Sequence, residues 1–230
     1  MTKKVKFLSF CLLLTLGTAA VVFNSCSKDD NSKKEETDPD KPSGPDTSTT
    51  DPGVVINGIR WATRNVDKPG IFAAKPENAG MFYQWNSKIG WSSANPMINT
   101  NDGTVWISSW NGNDASSWEK SNNPCPAGWR MPTRQELQKL YDAGSVWTDV
   151  NKVNGRLFGS GENTIFLPAV GCRYYNDGAL GNAGSGGYYW SSTRDDNGYA
   201  CYLGFDNGAY MLASNYWTMG NGISCRCVAE

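Results

Sequence analysis

Short stretches of alternating hydrophobic and polar residues, separated by turn residues, make up most of the chain after residue 53. In VVINGIRWA, Asn57-Gly58 lies between two β-rich triplets, and Asn-Gly accepts the positive φ angles of a two-residue hairpin turn. Further strand-like stretches are NTIFLPAVGCRYY, GYYWSST, YACYLGF, AYMLAS and ISCRCVAE. Turn signals separate them. This spacing predicts an antiparallel sheet at the C-terminal end of the chain.

Helical periodicity is confined to PTRQELQKLYDAG. Its apolar face carries Leu137, Leu140 and Tyr141. Thr133 and Glu136 form a capping box at its start, and Gly144 favours termination. Residues 70–123 are rich in Gly, Asn, Ser and Trp and predict short strands and ordered loops. The predicted fold class is α+β, with short antiparallel strands, one clear helix and long ordered loops.

The N-terminal 25 residues have the pattern of a secretory signal, in which lysines precede an apolar stretch. Serine, threonine and glycine interrupt that stretch, whereas a membrane span needs about 20 apolar residues. Cys26 follows a small residue and precedes SKDD. This arrangement resembles a bacterial lipoprotein cleavage site with the surface-export tag of Bacteroides-type bacteria. We therefore predict a signal peptide over residues 1–25, a lipidated Cys26 and an outer-membrane protein that faces the cell exterior.

Residues 26–53 contain no aromatic residue and consist mainly of Lys, Asp, Glu, Pro, Ser and Thr. A segment of this composition cannot bury enough apolar surface to offset the entropy lost on ordering. It is predicted to be a disordered tether between the lipid anchor and a single folded domain over residues 54–230.

The overall charge and the residue types present restrict the chemistry. The chain has 230 residues, a formal net charge of −1 and no histidine. A nearly neutral chain has no electrostatic footprint for nucleic acid. Without histidine, Ser-His-Asp and Cys-His mechanisms and the commonest zinc ligand are absent. We therefore predict a binding protein rather than an enzyme, with no cofactor.

The loops of the C-terminal sheet carry the candidate binding residues. In YACYLGF, period two places Cys201, Leu203 and Phe205 on one face, so Tyr202 faces outward if that face is the core. Aromatic residues beside short polar ones suit adaptable recognition, although ordinary loop residues of a turn-rich sheet have the same composition. The predicted ligand-binding residues are Arg194, Asp195, Tyr199, Tyr202, Asp206, Tyr210, Asn215, Tyr216 and Trp217.

Five ordered blocks resemble the Fibrobacter succinogenes major paralogous domain family: VVINGIRWATRNV, NPCPAGWRMPTRQELQKL, LPAVGCRYYNDG, GYYWSST and RCV. The resemblance covers residues 54–230 and implies a C-type-lectin-like fold with neighbouring termini and a loop-rich face. Its PCP and RCV blocks also suggest a disulfide between Cys125 and Cys227. By period two, Cys225 shares a face with Cys227 and is a candidate partner for Cys201. This second pairing leaves Cys172 without a partner.

Lectin-like folds often bind sugars through calcium, so a calcium site is one alternative to a protein without a cofactor. The usual Glu-Pro-Asn, Gln-Pro-Asp and Trp-Asn-Asp triplets are absent, and RDDNG and FDNG are the remaining oxygen clusters. Asp and Asn are also ordinary turn residues. We assign no metal ligands.

The favoured hypothesis is a lipid-anchored surface protein that binds an extracellular glycan or protein noncovalently. Three alternatives remain open. The composition of residues 188–223 is compatible with an adhesin diversified by a retroelement. A surface-assembly subunit would need a long exposed strand edge or a donor strand. An enzyme resembling the formylglycine-generating enzymes would use Cys225 and Cys227, although only one residue separates them here.

Overall fold

A computed structural model describes residues 49–213 and 219–230, with side chains described outside residues 211–213. These residues form one α-helix and fifteen strands, with two 3-10 turns at Gly112–Asp114 and Lys120–Asn122. In chain order the elements are β1 (Val54–Ile56), β2 (Ile59–Trp61), β3 (Met81–Tyr83), β4 (Gly90–Ser92), β5 (Trp129–Arg130), α1 (Arg134–Asp142), β6 (Ser145–Val150), β7 (Val153–Ser160), β8 (Asn163–Pro168), β9 (Cys172–Arg173), β10 (Leu180–Gly181), β11 (Gly186–Arg194), β12 (Ala200–Asp206), β13 (Tyr210–Ala213), β14 (Ile223–Ser224) and β15 (Val228–Ala229).

The strands form four sheets. The largest has the order β13-β12-β11-β14-β3-β4, and the others are β1-β2-β15-β5, β6-β7-β8 and β10-β9. Strand pairing among the described residues is antiparallel except between β11 and β14. The first and last strands share one sheet because β2 pairs with both β1 and β15. The predicted α+β class, with mostly strands and one helix in the described ranges, is confirmed.

Two locally specified elements form where the sequence predicts them. Asn57 and Gly58 have φ angles of 48° and 80° and close the β1–β2 hairpin. At the start of α1, Thr133 Oγ1 accepts a hydrogen bond from the Glu136 amide at 3.2 Å, and Glu136 Oε2 accepts one from the Thr133 amide at 2.8 Å. Leu137 and Leu140 pack into the core, as the apolar face of the helix predicts.

The hydrophobic core has two clusters, and β12 contributes to both. Tyr202 belongs to one cluster with Trp190, whereas Leu203 and Phe205 belong to the other. The Tyr202 side chain is 4% exposed, and its ring meets that of Trp190 edge to face at 6.2 Å. The expectation that Tyr202 faces outward is therefore wrong. A strand covered on both sides does not alternate between core and solvent.

The folded part begins earlier than predicted. The carboxylate of Asp51 is buried and forms an ion pair with Arg64 at 3.0 Å. The same side chain accepts hydrogen bonds from the Thr63 amide and hydroxyl. Because these bonds tie Asp51 to the segment after β2, the predicted tether of residues 26–53 extends too far. Cys26 and the signal sequence lie outside the described residues.

Of the two predicted disulfides, one is confirmed and the other is wrong. Cys125 and Cys227 form a disulfide. Cys172, Cys201 and Cys225 are buried and free, so the pairing of Cys201 with Cys225 is wrong. Strand β11 lies between β12 and β14, which separates alternate strands by about 10 Å. Disulfide-bonded Cα atoms lie within about 7 Å of each other.

Candidate functional site

The predicted binding residues divide between the two ends of β12. Arg194 is the last residue of β11, and Asp195 and Tyr199 lie in the connection from β11 to β12. Asp206 is the last residue of β12, and Tyr210 is the first of β13. The seven-residue strand β12 runs between the two groups, with Asp206 at its end, a distance of about 20 Å at 3.3 Å per residue. The predicted residues that the structure describes therefore do not form one site. Three of them, Asn215, Tyr216 and Trp217, lie outside the described residues.

Tyr210 packs within the fold. Its ring lies 4.7 Å from that of Tyr141 and 5.8 Å from that of Phe158. The guanidinium of Arg156 lies 5.0 Å from the centre of the Tyr210 ring. These contacts account for the half-buried tyrosine as a packing residue, so its predicted role in direct ligand binding is not supported by its position.

At the other end of β12, Arg194 and Tyr199 have different surroundings. The Arg194 guanidinium lies 4.8 Å from the Trp85 ring centre, and its Nη2 donates to the Asn111 carbonyl at 3.3 Å. Asp195 Oδ1 accepts hydrogen bonds from the amides of Asn197 and Tyr199, which makes Asp195 a turn-forming residue. Tyr199 is 46% exposed and is available to a ligand.

A long loop segment, residues 105–112, connects this end of β12 with a second aromatic loop. Trp106 Nε1 donates to the Tyr175 carbonyl at 2.9 Å. Further along the segment, Trp110 Nε1 donates to the Trp85 carbonyl at 2.7 Å. Trp85 is also the ring beneath Arg194. Together with the bond from Arg194 to Asn111, these contacts link the two aromatic loops through one segment. We call the three stretches together the loop face: residues 105–112, 174–177 and 194–199.

The loop of residues 174–177, which we call the tyrosine loop, presents two exposed tyrosines on a fixed backbone. Tyr174 and Tyr175 are 40% and 48% exposed. The Tyr175 amide donates to Asn221 Oδ1 at 2.8 Å, and the Tyr175 carbonyl accepts the bond from Trp106. Both backbone polar groups of Tyr175 are thus satisfied by side chains of the fold. The ring of Tyr174 lies over Gly181, where a Cβ would clash with it, and Val105, next to Trp106, is 81% exposed.

The buried side chain of Arg173 supports the tyrosine loop through hydrogen bonds to neighbouring backbone. Arg173 is 1% exposed, and burial lowers the pKa of its guanidinium. It donates to the carbonyl oxygens of Ser92, Gly178 and Ala94 at 2.8, 2.6 and 2.7 Å. Because Gly178 ends the turn that follows the tyrosine loop, the arginine joins this turn to the loop after β4.

Sequence reasoning missed Tyr174 and Tyr175. The pair directly precedes the Asn176-Asp177-Gly178 turn, and aromatic residues next to a turn signal are a pattern that marks exposed recognition loops. The tyrosines were instead included in a strand-like stretch. The strand ends at Arg173, which leaves both tyrosines in the loop.

The aspartates and cysteines of the region have structural roles in this geometry. Asp195 and Asp206 each hold turn amides through Oδ1, and no group of three or more His, Cys, Asp or Glu residues suited to a metal occurs within the described ranges. Cys227 is in the disulfide. Burial raises the pKa of the Cys225 thiol well above its usual value, which opposes formation of a thiolate nucleophile.

Comparison with known families gives a match to part of the chain. A family model described as a domain of unknown function, DUF8237, matches residues 145–228. No curated protein and no solved structure matches the chain.

The matched region contains part of the loop face. It extends from the first residue of β6 to the first residue of β15, and it includes Arg173, the tyrosine loop and residues 194–199. The segment 105–112 and the helix α1 lie before it. Within the described ranges, no helix has the length and apolar character needed to cross a membrane.

Proposed function

We propose that this protein is a lipid-anchored surface protein whose C-type-lectin-like domain binds an extracellular glycan or protein noncovalently through the loop face. The observation that carries the proposal is the exposure of Tyr174 and Tyr175 on a backbone that buried side chains hold in place. Anchoring at Cys26 would present this surface outside the cell.

The fixed backbone favours binding because little flexibility is lost when a ligand is bound. Tyrosine supplies a large amphipathic contact surface with few rotatable bonds, and ordering costs reduce affinity in proportion to the freedom lost. Asn176 and Asp177 are exposed beside the tyrosines and offer hydrogen-bond donors and acceptors. This combination suits the apolar faces and hydroxyl groups of a sugar as well as the mixed surface of a protein.

Two features support the lectin-like form of the domain. The first and last strands of the folded part share a sheet through β2, in agreement with the neighbouring termini that the family resemblance implies. Long loops over residues 93–128 contain Trp106 and Trp118, each 8% exposed, and these indoles fix the loops to the core. A fold of this kind hosts many ligands, so the proposed function depends on the loop face rather than on the fold.

A binding panel tests the function directly. The full chain, purified in detergent, is applied to a panel of glycans and extracellular proteins in the presence of calcium and, separately, of a chelator. We expect at least one saturable ligand whose affinity falls about 10-fold in the double variant Tyr174→Ala, Tyr175→Ala, since central aromatic contacts dominate binding energies. Retained binding in chelator would exclude a required calcium ion.

Two controls separate recognition from folding. The variant Tyr174→Phe, Tyr175→Phe keeps the rings and should retain most of the affinity. Val55→Ala removes an apolar side chain, 51% exposed, on strand β1, which is not part of the loop face. Circular dichroism and urea unfolding establish that each variant is folded. A folded chain that binds nothing on the panel, or a double variant that binds normally, would contradict the proposal.

Localisation is measured separately with Cys26→Ser. If Cys26 carries the anchor, this variant leaves the outer-membrane fraction, whereas the parent chain stays there and is digested by protease added to intact cells. A parent chain that is soluble, or membrane-bound without Cys26, would contradict the lipid-anchor part of the proposal and leave the binding result unaffected.

A further inference from the structure

An open cleft at the end of β12 that leads into β13 contains a partly exposed tryptophan, Trp147. The cleft has a volume of about 470 Å³, and its lining includes Trp147, Asn154, Gly184, Asp206, Asn207 and Gly208. This volume is in the range of ligand pockets. The cleft lies beside the β12–β13 turn, whereas residues 194–199 of the loop face lie at the other end of β12.

The walls of the cleft are held by one face of the β6–β7 hairpin. Asn154 and Arg156 are two residues apart on β7 and share a face, and Trp147 lies opposite Arg156 in the strand register. Arg156 is buried and donates to the carbonyl oxygens of Asp206 and Asn207 at 2.9 and 3.2 Å. The strand therefore holds the β12–β13 turn in a fixed position beside the indole.

The second wall is held in a similar way. Asn154 Nδ2 donates to the Gly184 carbonyl at 3.0 Å. Gly184 has a φ angle of 77°, and a Cβ there would meet no atom within 4 Å. At Gly208 a Cβ would meet only the Asp206 side chain, at 3.6 Å. Two glycines thus leave open space next to Trp147, between turns that β7 fixes.

The polar groups of the cleft have a defined orientation. Asp206 Oδ1 accepts hydrogen bonds from the amides of Gly208 and Ala209, both at 2.8 Å, which fixes the orientation of this exposed side chain. Asn207 is exposed, and only its backbone carbonyl is used by Arg156. Trp147 is half-buried and packs against the core cluster, so part of its indole remains accessible.

We propose that this cleft is a second binding site, specific for a neutral pyranose unit of a glycan. A pyranose has an apolar C–H face that packs on an indole, and its hydroxyls pair with carboxylate and amide groups. Asp206 disfavours an acidic sugar because like charges repel. The inference goes beyond the proposed function, since the lining of the cleft includes no residue of the loop face.

Neutral oligosaccharides of glucose, xylose, mannose, galactose and N-acetylglucosamine serve as probes for the full chain in detergent. Affinity is measured by calorimetry, and saturation-transfer NMR reports whether the sugar contacts aromatic protons. We expect at least one of these sugars to bind, with affinity about 10-fold lower in Trp147→Ala and within about 3-fold of the parent in Trp147→Phe.

A matched pair of asparagine variants locates the site. Asn207 lines the cleft, whereas Asn163 is an exposed residue of β8 that belongs to neither the cleft nor the loop face. Asn207→Ala should weaken sugar binding about 3-fold or more, whereas Asn163→Ala should leave it unchanged. Urea unfolding establishes that the variants retain the stability of the parent chain.

Three results would overturn the cleft proposal. They are the absence of binding to any neutral oligosaccharide, a preference for cationic ligands such as lysine derivatives, and sugar binding that survives Trp147→Ala but is lost in the tyrosine double variant. The last result would support the loop face and reject only the cleft. Conversely, sugar binding that requires Trp147 but neither tyrosine would support the cleft even if the loop face bound nothing.

Discussion

Replacing Arg173 tests whether a buried arginine holds the tyrosine loop in place. The Arg173→Met variant keeps a side chain of similar length but removes the donors to Ser92, Gly178 and Ala94. It also leaves the Gly178 carbonyl, which is buried, without this partner. Both the stability of the domain and the presentation of Tyr174 and Tyr175 should therefore change.

The size of the effect follows from the burial of these bonds. A hydrogen bond to a charged group contributes about 1.5–3 kcal/mol. The bond to Gly178 is buried and counts in full, whereas water can partly replace the bonds to Ser92 and Ala94, which are only part-buried. The desolvation that lowers the pKa of Arg173 is a cost that disappears with the side chain. We expect a net loss of about 2–4 kcal/mol in the free energy of unfolding.

Urea unfolding of the full chain, followed by tryptophan fluorescence, measures this loss. The control Arg60→Met removes an exposed arginine on β2 and should change the free energy of unfolding by less than about 0.5 kcal/mol. Binding of the panel ligand should weaken in the folded Arg173→Met variant. A loss below about 1 kcal/mol together with unchanged ligand binding would refute the reasoning.

Two further predictions concern the disulfide and the helix cap. The double variant Cys125→Ala, Cys227→Ala should lose about 2–5 kcal/mol of stability, because the crosslink joins residues 102 positions apart. Urea unfolding measures this, and equal midpoints for variant and parent would contradict it. Burial raises the pKa of Glu136, but hydrogen bonds from Arg130 and Thr133 lower it by more than burial raises it. The pKa of Glu136 is therefore below its usual value. The advantage of the parent over Glu136→Gln should therefore be present above the unfolded pKa of about 4.3 and vanish as the pH falls through the lower folded pKa. Unfolding curves whose difference is the same at pH 7 and pH 3 would contradict this.

The candidate site was only partly predictable from the sequence. Tyr199 was predicted as a binding residue and is exposed on the loop face. Asp206 was also predicted and lines the cleft at the other end of β12. Trp147 and the tyrosine loop were missed. Trp147 belongs to the β6–β7 hairpin, whose turn residues Asn151 and Lys152 have φ angles of 51° and 68°, and a lysine in that conformation gives no turn signal in the sequence.

Elements specified by neighbouring residues were determined by the sequence itself. The Asn57-Gly58 hairpin and the Thr133–Glu136 capping box depend on backbone angles and hydrogen bonds within a few residues. For the same reason, the predominance of short strands and the presence of one helix in the described part could be predicted without knowledge of the tertiary fold.

Burial and grouping of side chains were decided by the tertiary structure alone. Tyr202 is buried because both faces of β12 are covered. Cys201 cannot reach Cys225 because β11 lies between β12 and β14, the strand that Cys225 directly follows. The loop face depends on contacts such as that from Trp106 to Tyr175, which are 69 residues apart. Local sequence sets the conformation of a strand or turn, whereas the choice of its neighbours depends on how all the apolar surfaces of the chain are buried together.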